Sequence, residues 1–182
     1  SKKMKFYTGI GSRETPPEIL EMMKDIASKL EVLGWTLRSG GAPGADTGFE
    51  NGVKSLKEIY VPWRGFNDSD SELYYDRNIE FKERTFEIAS ENHPAWKHLK
   101  DPIKKLMARN VYQILGWNLN SPSKFVICWT QDGCESHTTR GYKTGGTGLA
   151  ISVASKLGIP VFNLKNESSY NRVMKLLKSS YQ

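Results

Sequence analysis

The chain has 182 residues, of which 25% are charged and 38% hydrophobic, with a formal net charge of +6. That length suits one domain with a substantial buried core. No apolar run approaches the roughly 20 residues that a membrane-spanning helix needs, and two cysteines, Cys128 and Cys134, are too few for a disulfide framework. The positive charge favours polyanions, nucleic acid among them, or is simply a solvated lysine-rich surface. Its densest group is Lys97, Lys100, Lys104, Lys105 and Arg109.

In chain order, the opening Ser1-Lys2-Lys3-Met4 leads into a strand over residues 5–10 without the apolar segment of a secretory signal, so a cytoplasmic location is expected. Thr15, Pro16, Pro17 and Glu18 combine a capping residue, first-turn prolines and capping-box spacing. Ile19, Met23, Ile26, Leu30 and Leu33 then recur at helical spacing, and Gly34 ends the helix. Residues 35–38 form a second strand. Asp46 caps the next helix, with Phe49, Val53 and Leu56 on its buried face, and residues 58–62 form a third strand.

Residues 63–120 break the alternation and read as a helical insertion. Pro94 and Pro102 each interrupt or begin a helix, and Ile103, Leu106, Met107, Val111, Ile114 and Leu115 mark its last amphipathic segment. Residues 125–129 (FVICW) are an apolar run of the kind buried on both faces of a parallel sheet. Leu149, Val153, Ala154 and Leu157 make a helix ended by Gly158, residues 159–164 are the last strand, and Val173, Met174 and Leu177 lie on a terminal helix. The alternation predicts an α/β fold: a single three-layer, doubly wound, mostly parallel Rossmann-like sheet spanning residues 1–182.

Three glycine-rich turns carry the chemistry. Each lies between a strand and a helix, where bare amides and helix N-termini can hold an anion. The first is Gly9-Ile10-Gly11-Ser12-Arg13, with Arg13 able to donate two parallel hydrogen bonds to phosphate. It is not the dinucleotide fingerprint, because Glu14 stands where the third glycine should fall. The second runs Ser39-Gly40-Gly41-Ala42-Pro43-Gly44-Ala45-Asp46; no lysine and hydroxyl pair closes it, so it is not a Walker A loop. Asp46 there caps a helix or accepts from a ribose hydroxyl or base amine. The third, Thr144-Gly145-Gly146-Thr147-Gly148, offers hydroxyls and amides at a helix N-terminus.

The long polar connection before the third turn holds Asp132, Glu135, His137 and Arg140. Cys134 and His137 stand three apart, but a structural zinc needs four ligands and no second pair follows, so no metal is expected. Asp132 or Glu135 is a candidate general acid or base. Trp63, Tyr74 and Tyr75 are candidate stacking surfaces or core residues.

Gly11-Ser12-Arg13, the loop from Ser39 to Asp46, Ala108-Arg109-Asn110 and Thr144-Gly145-Gly146-Thr147 together resemble the SLOG superfamily. That superfamily joins the Rossmann-like core of the DprA (Smf) DNA-processing proteins with the LOG-type nucleotide phosphoribohydrolases, and the order of motifs is similar to the DprA side. The resemblance implies a ligand site made by Gly11, Ser12, Arg13, Ser39, Gly40, Gly41, Asp46, Arg109, Asn110, Thr144, Gly145, Gly146 and Thr147. DprA-like proteins bind single-stranded DNA and load a recombinase. LOG-like enzymes cleave the N-glycosidic bond of a nucleoside monophosphate with an arginine, for which Arg109 could stand, and a glutamate after the third loop. Residues 148–152 contain no carboxylate, which leaves Glu135 or Asp132 to take that role. The expected partner is therefore a nucleotide or single-stranded nucleic acid, with a LOG-like hydrolase and a nucleotide sensor as alternatives. No cofactor and no membrane partner is expected, and a homodimer is left open.

Overall fold

The computed structural model describes residues 4–180; the Ser1-Lys2-Lys3 lead lies outside them. Among the described residues six parallel strands, β1 (Lys5–Gly11), β2 (Trp35–Ser39), β3 (Lys57–Val61), β4 (Leu73–Tyr74), β5 (Val126–Trp129) and β6 (Val161–Asn163), lie in the order β4-β3-β2-β1-β5-β6. Helices cover both faces. α1 (Pro17–Val32), α2 (Ala45–Glu50) and α6 (Glu167–Ser180) supply Met23, Ile26, Phe49, Val173 and Leu177 to one core. α3 (Lys82–Glu91), α4 (Asp101–Leu115) and α5 (Thr147–Lys156) supply Ala89, Val111, Ile114, Leu149 and Val153 to the other.

Period-two alternation divides each central strand between the cores. Tyr7, Ile127 and Trp129 face the α1 side, whereas Ile10, Val126 and Cys128 face the α4 side. All four residues of β5 are buried, which is why that stretch is uniformly apolar. The doubly wound fold expected from the alternation is the fold observed. Among the described residues no helix is long and apolar enough to cross a membrane.

Local details differ from the sequence reading. Proline takes over the start of α1: Pro16 is the N-cap and Pro17 the first helical residue, and no side chain caps the helix. Thr15 instead donates its hydroxyl to the Ser12 carbonyl at 2.7 Å, so it fastens the first turn to the helix. Asp46 does not cap α2 either. Gly44 occupies the N-cap, and the Asp46 carboxylate accepts from the Ala42 amide at 3.2 Å. Since α2 ends at Glu50, Val53 and Leu56 lie beyond it, Val53 buried and Leu56 half-buried. Stretch 63–120 contains α3 and α4 and also adds the short edge strand β4.

Candidate functional site

Chain order reverses between β1 and β5. From β1 the chain builds outward through β2 and β3, while β5 continues to β6 on the other side. The two strands end level, with Gly11 beside Trp129, and their following loops part to opposite faces. A crevice opens at such a switch point. Here it is a cleft of about 890 Å³ lined by Gly11, Ser12, Arg13 and Asp46, by Arg109 and Asn110 of α4, and by residues 144–147.

The first turn is held rigidly. The Ser12 amide donates to the Trp129 carbonyl at 3.0 Å, and the Ser12 carbonyl accepts from the Ala45 amide at 3.2 Å. The Ser12 hydroxyl accepts from the Glu14 amide at 2.9 Å. Gly44 lets the second loop pack directly on the first: it sits at φ 88°, and a Cβ there would lie 2.6 Å from both the Arg13 Cα and the Ser12 carbonyl oxygen. Arg13 itself is exposed, and among the described residues no carboxylate pairs with it.

The second glycine loop does not open into the cleft beyond Ala42 and Asp46. Ser39 is fully buried and donates its hydroxyl to the Gly9 carbonyl at 2.6 Å. A Cβ on Gly40 would meet the Gln113 Nε2 at 2.3 Å, the Asp46 Oδ2 at 2.7 Å and the Arg109 Nε at 2.8 Å. Gly41 turns its carbonyl to Asn67 at 2.9 Å. Ser39, Gly40 and Gly41 therefore stand behind the cleft as its backing.

Arg109 holds that backing together. Its guanidinium donates to the carbonyls of Tyr60 at 3.1 Å, Gly40 at 3.2 Å and Leu106, and lies 3.9 Å from the Asp46 carboxylate. Burial pulls the guanidinium down to about 10, against the pull of Asp46 and with the push of the Arg13 charge. Burial likewise pushes the Asp46 carboxyl up to about 6, although Arg109 and the Ala42 amide favour its ionised form. The long Arg109–Asp46 separation accounts for burial prevailing, because the guanidinium's close bonds go to carbonyls.

The third turn completes the rim. The Thr144 hydroxyl donates to Asp132 at 2.6 Å and accepts from the Gly141 amide at 2.9 Å, so it is buried and occupied. Asn110 reaches the Gly146 carbonyl at 3.5 Å. Gly146 and Thr147 open α5, where no helix carbonyl reaches their amides and the dipole favours an anion.

The two carboxylates considered for acid–base chemistry lie outside the cleft. Asp132 accepts from Thr130, Thr144 and the Cys134 amide. Burial opposes its ionisation, but those donors outweigh it and hold the carboxyl below its ordinary range. Glu135 turns toward β6 and α6, accepting from the Asn163 amide at 2.9 Å and from the Ser169 hydroxyl. His137 shares a 2.9 Å hydrogen bond with Ser155, and among the described residues no three His, Cys, Asp or Glu side chains converge as a metal site. Of the aromatic candidates, Tyr75 is buried and stacked on Phe86, Tyr74 is half-buried, and Trp63 is 40% exposed against Phe66.

Sequence reasoning missed several lining residues: Gln113, Tyr142, Lys143 and the stripe Ile103, Leu106 and Met107. The stripe is legible as the apolar spacing of an amphipathic segment, which does not say what covers it. Only its continuation through Val111, Ile114 and Leu115 is fully packed in the core; Ile103 is 40% exposed.

No protein-family model and no curated protein sequence matches the chain. Among solved structures it is similar to DNA processing protein A from Helicobacter pylori, at a TM-score of 0.55 and 17% identity over 97% of this chain and 81% of that one. That structure was described for its single-stranded DNA binding mode. The likeness is one of fold, and the chain has a fold like that of DNA processing protein A.

Proposed function

We propose that the cleft between the ends of β1 and β5 binds the phosphates of single-stranded nucleic acid, or of a nucleotide. The observation that carries this reading is the meeting of two loops around one opening: Arg13 exposed and unpaired among the described residues on one side, and the first amides of α5 on the other. Arginine's planar fork and a helix N-terminus are each suited to phosphate. The fold likeness to a protein described as binding single-stranded DNA supports the same reading, as does the net charge of +6.

In this reading Arg13 and the Gly146 and Thr147 amides touch phosphate, while Arg109, Asp46 and Gly40 fix the wall behind it. Neither Asp132 nor Glu135 lines the cleft, so the alternative of a glycosidic hydrolase loses both of its candidate carboxylates and would have to use Asp46 or Glu14, which do line it. Arg13→Ala should weaken binding of an oligo(dT) strand by about 1.5–3 kcal/mol, the value of a hydrogen bond to a charged group. Equilibrium titration with a fluorescent strand measures it, and unchanged affinity would remove Arg13 from the site.

A further inference from the structure

Tyr142 is 100% exposed. It lies in the short turn Tyr142–Thr144 just before α5, next to the exposed Lys143, and both line the cleft. Among the described residues no aromatic ring packs on it. The same cleft is lined by Ile103, Leu106 and Met107 of α4, and Ile103 is 40% exposed. Apolar surface left in water gains free energy when something covers it. A bare phosphate would engage only Arg13, Lys143 and the amides of α5 and leave this apolar surface wet. A phosphate carrying a base would use both.

We propose that Tyr142 is a stacking platform for a nucleobase of the bound strand, which seats the base against the apolar side of α4 while its phosphates lie toward Arg13 and Lys143. This rests on the phosphate-binding reading above. The occupant is a single strand, because duplex bases are already stacked and offer no free face. Stacking on one ring is tolerant of base identity, since every base presents a π-face.

The test compares an oligo(dT) strand with an abasic strand of equal length, which keeps the phosphates and lacks the bases. Tyr142→Ala should bind oligo(dT) roughly tenfold more weakly and the abasic strand as the unaltered protein does. Tyr142→Phe, which keeps the ring, should bind oligo(dT) normally. Because Tyr142 is fully exposed, neither substitution removes a core contact. Unchanged oligo(dT) affinity in Tyr142→Ala, an equal loss on both strands, or a Phe variant as weak as the Ala variant would each overturn the platform. Arg13→Ala run alongside separates the two ideas: if it weakens both strands while Tyr142→Ala weakens neither, only the platform falls. If Arg13→Ala weakens neither strand, the phosphate reading falls.

Discussion

Asp46 shows how much one residue's position decides. It is 4% exposed, 3.9 Å from the Arg109 guanidinium and bonded to the Ala42 amide. Its carboxyl is pushed by burial from an ordinary 3.8 to about 6. A folded-state value above the unfolded one means that the folded protein holds the proton more tightly. The stability this contributes is complete below pH 3.8 and is lost as pH rises to about 6. Denaturant titrations at pH 4, 5, 6 and 7 should therefore show the unaltered protein losing roughly 2 kcal/mol relative to Asp46→Asn over that range. Parallel pH profiles for the two proteins would contradict the assignment. The sequence showed an acidic residue at a helix start and left capping and ligand contact as its options. Its actual place, in the opening turn of α2 and facing a buried arginine, depends on α4, which is more than 50 residues distant in the chain.

Among the elements, α4 does two jobs along one stripe. Its second half is core, with Val111 and Ile114 fully buried, while Ile103, Leu106 and Met107 line the cleft. Periodicity reveals that such a stripe exists but not what covers it, so the cleft-lining half is not distinguishable from the packed half in the sequence. Arg109 sits where the two halves meet and ties α4 to β3 and to the second glycine loop through the Tyr60 and Gly40 carbonyls. Replacing it with methionine keeps much of the volume but strips several carbonyls and Asp46 of their partner. Arg109→Met should cost about 3–5 kcal/mol in denaturant unfolding. A variant as stable as the parent would free Arg109 from its structural role and return it to the list of ligand contacts.

At the scale of the whole molecule, the fold was the most legible property. Strand and helix periods, proline and glycine punctuation and the apolar β5 run all agree on a parallel sheet with two helical layers, and that agreement across levels is what specifies a fold. The first and third glycine turns meet at the cleft, and the second backs it. Glycine content could not separate these cases, because a loop packed against Gln113 and Arg109 needs glycine as much as one approaching a ligand does. Tyr142 and Lys143 carried no periodic signal and became visible only once the loop was placed.

The salt dependence of oligo(dT) binding tests the cleft's role most directly. A site that holds two to three phosphates through Arg13, Lys143 and the α5 amides predicts a slope of about −1.4 to −2.1 in log affinity against log salt. Absence of saturable binding, or an affinity indifferent to salt, would contradict it.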